Sequence, residues 1–264
     1  MDLQIKGKKA LVTGSTAGIG LAIVTALARE GASVVVNGRT QKRVDEALAT
    51  VRKEIPGADV TGIAADLGNA AGAQQLIKAL PAVEILVNNM GIFEPKPFAE
   101  IPDADWLRFF EVNVLSGVRM SRAYLPGMLE KNWGRIVFIS SESGLQTPAE
   151  MIHYGVTKTA QLAVSRGLAE TVAGTGVTVN SVLPGPTRSE GVEVFVEDMA
   201  RARKTDTASI EKEFFQNVRP SSLIKRFSTV EEIANVVAFV CSPLSASVTG
   251  TSLRVDGGVV RTIA

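Results

Sequence analysis

Residues 9–13, Lys-Ala-Leu-Val-Thr, run straight into Gly14-Ser15-Thr16-Ala17-Gly18-Ile19-Gly20, and these lead into an apolar-periodic helix that continues through Glu30. A short apolar run, a glycine turn and a helix start leave few architectures open. The run reads as a strand buried on both faces. Missing Cβ atoms let another group come close to the backbone of the turn. The helix start presents N–H groups with no intrahelical partner, which together make an anion site. The spacing is G-x-x-x-G-x-G rather than the G-x-G-x-x-G of the general dinucleotide fingerprint. An ordinary tight turn also uses glycine, so this stretch needs support from elsewhere in the chain.

The alternation then repeats. Apolar runs at 33–36, 60–64, 83–87, 135–139, 177–182 and 252–255 read as strands. Between them, helical patterns cover 41–53, 70–80, about 103–131, the stretch carrying Tyr154 and Lys158, and 230–241. Strands alternating with helices mean a parallel sheet covered on both faces. The expected architecture is α/β: a single-domain, Rossmann-like doubly wound parallel sheet over residues 1–264. A chain of 264 residues, 45% hydrophobic and 21% charged, suits one such domain better than two small ones. Residues 188–226 break the rhythm with many charges among scattered Val, Phe and Met. They read as one or two amphipathic helices outside the sheet, with a substrate lid at about 188–220 built on Val192, Phe195, Val196 and Met199.

Composition excludes several functions. A formal net charge of +1 implies no nucleic acid or other polyanionic partner. Apolar runs are too short to span a bilayer, and the charged N-terminus lacks a signal-peptide core. One cysteine, Cys241, allows no intrachain disulfide and fits a reducing cytoplasm. One histidine, His153, allows no multi-histidine metal site, so no metal is expected. His153 reads as a lining or surface residue. Neither a G-x-S-x-G nucleophile elbow nor a G-x-x-x-x-G-K-[ST] phosphate loop is present.

Chemistry gathers in residues 136–158. Tyr154 and Lys158 stand four apart, so one helical turn stacks them on one face. A fixed ammonium beside a phenol favours the phenolate and lowers a pKa of about 10 toward neutrality. Ser141, at the end of the preceding strand, is placed to hold a carbonyl or hydroxyl oxygen beside that phenol. A surface tyrosine next to a solvated lysine would show the same spacing. Ligands of such sheets lie beyond the carboxyl ends of the strands. Those ends carry Gly14, Asn37-Gly38-Arg39, Asp66-Leu67, Asn88-Asn89-Met90-Gly91, Ser140-Ser141 and Pro184-Gly185.

Together these residues resemble the classical short-chain dehydrogenase/reductase superfamily over essentially the whole chain. Thr13-Gly14-x-x-x-Gly18-Ile19-Gly20 is similar to its cofactor motif, and Asp66-Leu67 to the pair that meets adenine. Asn88-Asn89-Met90-Gly91 resembles Asn-Asn-Ala-Gly, with methionine where alanine is usual. Pro184-Gly185-Pro186-Thr187-Arg188-Ser189 resembles Pro-Gly-x-x-x-Thr with a final serine, and Val255-Asp256-Gly257-Gly258 the usual C-terminal signature. The resemblance implies catalysis by Asn113, Ser141, Tyr154 and Lys158, with hydride passing between a nicotinamide and a ketone or secondary alcohol. Ser141 would bond the carbonyl and Tyr154 would donate the proton. Lys158 would lower the phenol's pKa and hold the ribose, and Asn113 would order a water. The implied cofactor contacts are Gly14, Ser15, Thr16, Gly18, Ile19, Gly20, Asp66, Leu67, Asn88, Gly91, Tyr154, Lys158, Pro184, Gly185 and Thr187. The family implies a homotetramer or homodimer. Two other functions stay open: reduction of a carrier-bound 3-oxoacyl chain, landing on Arg119 and Arg122, and a non-catalytic dinucleotide-sensing regulator.

The second strand bears on the cofactor. Enzymes that prefer NAD(H) place an acid at its end to bond the ribose hydroxyls. Here that position is Gly38, followed by Arg39, then Thr40 as an N-cap, then Lys42 and Arg43. A helix start favours acids, so these cations suit a bound phosphate. NADP(H), with Arg39 on its 2′-phosphate, is expected over NAD(H). A solvated basic helix start, partly countered by Asp45 and Glu46, is the plainer alternative.

Overall fold

The computed structural model describes residues 2–263, the side chain of Phe195 excepted. Its elements in chain order are β1 (Lys9–Val12), α1 (Gly18–Arg29), β2 (Ser33–Gly38), α2 (Gln41–Glu54), β3 (Val60–Ala64), α3 (Ala70–Ala79) and β4 (Ile85–Asn88). Then follow α4 (Asp103–Phe110), α5 (Ser116–Glu130), β5 (Gly134–Ile139), α6 (Ile152–Thr171) and β6 (Val177–Pro184). The chain continues with α7 (Glu190–Arg203), α8 (Thr207–Glu213), α9 (Val230–Val240) and β7 (Ser252–Val255). The strands form one sheet in the order β3-β2-β1-β4-β5-β6-β7, with every pairing parallel. Winding runs outward from β1 in one direction and from β4 in the other. The strand order therefore reverses between them, where a crevice opens at the carboxyl ends.

Why the strands are continuously apolar is visible in the two cores. Ala10, Val12, Val34, Val36, Ile85, Val87 and Val137 face one layer, with Ile23 of α1, Val44 of α2 and Ile233 of α9. Their neighbours Leu11, Val35, Leu86, Ile136 and Phe138 face the other, with Leu76 of α3 and Met120 and Tyr124 of α5. Alternate residues point to opposite faces, and helices cover both faces, so most strand positions are apolar. Cys241 lies in the first layer, where burial pushes its thiol up to about 12.

One expectation changes. The single helix expected over 103–131 is interrupted by a π-turn at Glu111–Leu115, which separates α4 from α5. The wide turn is held by Asn113, whose side chain bonds both backbone groups of Ile92. The segment after β6 forms α7 and α8, then a π-turn at Phe214–Val218. α7 ends at Lys204, which takes the left-handed conformation (φ 52°). Val196, Ala200, Ile210, Phe215 and Phe227 make a third, small core here, joined by the half-buried Val192 and Met199. Phe195, expected on the same face, has a side chain outside the described residues. Among the described residues, no helix is long and apolar enough to cross a membrane.

Candidate active site

The glycine turn is built from inside by polar side chains. The Ser15 hydroxyl donates to Val12 O (2.7 Å) and accepts from Asn37 N (3.0 Å), while Ser15 N donates to Asn37 O (2.8 Å). Asn37 Oδ1 accepts from Gly14 N at 3.2 Å, and its Nδ2 donates to Ile63 O and Ala65 O. From the other side, Asn89 Nδ2 donates to Thr13 O and Gly14 O. Asn37 and Asn89 thereby clamp the turn between β2 and β4. Gly14 and Gly18 have φ of +59° and +55°, the region that favours glycine. A Cβ on Gly20 would lie 2.6 Å from Asn89 Nδ2 and 2.7 Å from Gly14 O. The N-cap of α1, Ala17, makes no side-chain cap, and its first turn carries no acid. Unpartnered N–H groups behind a glycine-rich turn fit a dinucleotide's diphosphate.

The other expected cofactor residues fall at the same edge with different exposures. Ser15 turns its hydroxyl and its N–H inward, so neither group reaches a ligand. Leu67 is wholly buried in the second core layer, which leaves Asp66 as the exposed member of that pair. Asp66 caps its own turn by accepting from Gly68 N and Asn69 Nδ2. Asn88 is buried and donates to Ser121 Oγ. Ile19 packs partly on the first core layer. Gly185, after Pro184, leaves no room for a side chain, because its Cβ would sit 2.6 Å from Asp256 Cα. Thr187 donates back to Gly185 O. Gly38 ends β2, with Thr16 packed over it, and Arg39 is exposed. Thr40 caps α2 as expected.

Ser141, Tyr154 and Lys158 meet beyond the end of β5. Lys158 Nζ donates to Ile139 O at 2.9 Å and lies 5.6 Å from the centre of the Tyr154 ring. A Cβ on Gly91 would sit 3.4 Å from that nitrogen and 3.9 Å from Asn113 Oδ1, so Gly91 keeps the gap between them open. Asn113 also donates to Thr157 Oγ1 (2.9 Å). Burial pushes Lys158 down to about 7, against a weaker upward pull from the Glu142 carboxylate. The phenol departs from the sequence expectation. Burial raises the Tyr154 pKa, the Ser141 hydrogen bond lowers it, Glu142 raises it and Arg219 lowers it. Desolvation outweighs charge attraction, and in this arrangement the phenol holds its proton at neutral pH.

Two participants were not anticipated. Glu142 is buried and its Oε2 accepts from Ser141 Oγ at 2.5 Å. Its Oε1 faces Arg219 Nε at 3.4 Å, and Arg219 also donates to Glu150 and to Val218 O. A charge directly after Ser141 was the available signal, but nothing in the sequence pairs it with a residue 77 positions away. His153 also needs correction: it is neither a lining nor a surface residue. It is wholly buried between α4 and α6, 4.0 Å from the Phe109 ring and 6.0 Å from Trp106, with both ring nitrogens unbonded.

A doubly wound sheet with a glycine-rich anion turn and a Ser, Tyr and Lys group at the strand ends defines a dinucleotide-binding oxidoreductase fold. The chain belongs to the short chain dehydrogenase family, whose model matches residues 8–200. It is 48% identical to the uncharacterized oxidoreductase YvaG of Bacillus subtilis, covering 100% of both chains. It is 32% identical to the 3-oxoacyl-acyl-carrier-protein reductase FabG of Aquifex aeolicus, covering 98% of this chain and 100% of that one. Its fold matches the crystal structure of L-sorbose reductase from Gluconobacter frateurii complexed with NADPH and L-sorbose, with TM-score 0.93, 30% identity and 100% of both chains covered. The chain is thus an oxidoreductase of this family, acting on small molecules.

Proposed function

We propose that the chain is an NADP(H)-dependent reductase of ketones, able to oxidise the corresponding secondary alcohols in reverse. The observation that carries this is the meeting of Ser141, Tyr154 and Lys158 beside the glycine turn. NADP(H), when bound, supplies or accepts the hydride. Ser141 and Tyr154 hold the carbonyl oxygen between them. Tyr154, kept protonated by burial, donates its proton to that oxygen as the carbon is reduced. Lys158, fixed by Ile139, orients the ribose and steadies the phenolate left behind. Gly14, Gly18 and Gly20 cradle the diphosphate, and Arg39 takes the 2′-phosphate. The NADPH in the L-sorbose reductase complex supports that choice.

In this reading residues 1–264 act as one domain and 188–220 as its lid. A reducing cytoplasm suits the single buried thiol. Exposed Leu107 and Phe110 on α4 suit burial in a homotetramer or homodimer. Reduction of a carrier-bound 3-oxoacyl chain is the second reading, favoured by the likeness to FabG. It is weakened by Arg119, half of its landing patch, which is paired with Glu111 at 2.6 Å. The test is loss of NADPH and NADH absorbance against a panel of ketones, hydroxyketones and an acetoacetyl thioester. Turnover of the thioester alone would favour the second reading, and no turnover with any of them a sensing role.

A further inference from the structure

We infer that Glu142, held by Arg219, is a substrate-binding residue that selects ketones carrying a hydroxyl on the carbon next to the carbonyl. This rests on the ketone-reductase reading and deepens it.

The argument starts from one proton. A serine hydroxyl has a single hydrogen to donate. Ser141 gives it to Glu142 Oε2 across 2.5 Å, and its oxygen accepts from Ser143 N at 3.1 Å. A ketone oxygen accepts and cannot donate, so it finds no donor in Ser141 while Glu142 holds that proton. Displacing Glu142 would leave a buried carboxylate short of a hydrogen bond, and such a loss is costly. Both problems disappear if the substrate brings a donor for Glu142. Ser141 then turns its hydrogen to the carbonyl.

Geometry allows this. A carbonyl oxygen bonded to Ser141 lies about 2.7 Å from Oγ. The Glu142 carboxylate lies on the same Oγ, so an oxygen on the adjacent carbon comes within one hydrogen bond of it. Arg219 keeps the carboxylate there from the end of the segment after α8. Its guanidinium is itself mostly buried, with a side-chain exposure of 13%. A carboxylate and a guanidinium beside the reacting carbon suit a hydroxylated substrate. An apolar chain brings Glu142 no donor in place of the Ser141 hydroxyl, and sites built to bond a hydroxyl reject analogues lacking it.

The test compares 1-hydroxy-2-butanone with 3-pentanone, in which a methyl group replaces the hydroxyl. Wild type is expected to favour the hydroxyketone in kcat/KM by on the order of ten- to a hundredfold. In Glu142→Leu the kcat/KM ratio of the hydroxyketone to 3-pentanone should collapse toward one. Glu142→Gln, closer in shape, should lose part of it. Calorimetry of both ketones on the enzyme with NADP⁺ supplies a readout independent of turnover. A binding preference that depends on Glu142 without NADPH consumption supports the inference and overturns the reductase reading. Turnover of both ketones with the same preference in wild type and Glu142→Leu overturns the inference alone. A hydroxyketone that neither binds nor reacts overturns it as well.

Discussion

The ammonium of Lys158 donates to the carbonyl of Ile139, the last residue of β5, across 2.9 Å. Ser140 Oγ closes the same junction by donating to Lys158 O, also at 2.9 Å. This fastens α6 to the strand end and holds the amine under Tyr154 at a cost, because burial brings its pKa from 10.5 down to about 7. The unfolded chain therefore binds one more proton between those values. Lys158 lowers stability most below pH 7, and the penalty fades as pH rises toward 10.5. Lys158→Met is expected to abolish turnover and to stabilise the fold at pH 6, by a few kcal/mol at most at about 1.4 kcal/mol per pH unit. The gain should shrink at pH 9. Urea melts at the two pH values check this, and an equal gain at both would contradict it.

Tyr154→Phe removes the proton donor and leaves the glycine turn untouched. Cofactor binding should stay normal while kcat falls about 10²–10⁴-fold. A variant that keeps wild-type kcat on its best substrate removes Tyr154 from the mechanism. Because burial raises the phenol's pKa, alcohol oxidation, which needs the phenolate, should speed up toward alkaline pH. Reduction should not. Parallel pH profiles in the two directions would contradict that assignment.

Asn113 holds Ile92 through two hydrogen bonds, at 2.8 and 3.0 Å, from within the π-turn. Asn113→Leu strands the half-buried Ile92 N–H and C=O, at a cost of up to about 1–3 kcal/mol, the range for a fully buried unpaired group. Thermal melts should show that loss, together with lower kcat as Gly91 shifts beside Lys158. A variant with unchanged melting and kcat would show that the π-turn needs no such tie.

Much of this was legible because the fold and the anion turn are local codes. Short continuous apolar runs and periodic helices give the sheet without any long-range knowledge, and Gly14, Gly18 and Gly20 mark the turn. What stayed hidden is long-range or non-local in character. The π-turn at Asn113 needs the Ile92 backbone, which only the fold brings near. Glu142 and Arg219 meet only when the segment after α8 returns to the end of β5. The direction of the Tyr154 pKa depends on burial, and a four-residue spacing to Lys158 says nothing of depth.

The segment formed by α7 and α8 has its own small core, centred on Val196, Ile210 and Phe215. It is tied to the rest by ion pairs: Arg43 with Glu190 at 3.3 Å, and Arg219 with Glu142. A unit with its own core can move whole, as a lid does. Hydrogen exchange over 188–220 should slow when NADPH and a ketone bind together. Unchanged protection in the ternary complex would make it a static pair of helices.

Cofactor choice turns on Gly38 and Arg39. The exposed Arg39 follows the end of β2, and the first turn of α2 itself carries no acid, although Glu190 reaches its Arg43. A charge-assisted contact from Arg39 is worth roughly 1.5–3 kcal/mol, on the order of ten- to a hundredfold in preference. NADPH should exceed NADH in kcat/KM by that range, and Arg39→Ala should remove most of the difference. Moving the preference the other way takes more than adding an acid. A Cβ on Gly38 would lie 2.4 Å from Thr16 Cγ2, so Gly38→Asp alone forces Thr16 to turn away from its place in the glycine turn. Gly38→Asp should therefore lower kcat/KM with both cofactors, and adding Thr16→Ala should recover NADH activity selectively. If wild type uses NADH as well as NADPH, the 2′-phosphate site is wrong. If Gly38→Asp alone gives full NADH activity, Thr16 is not the obstacle.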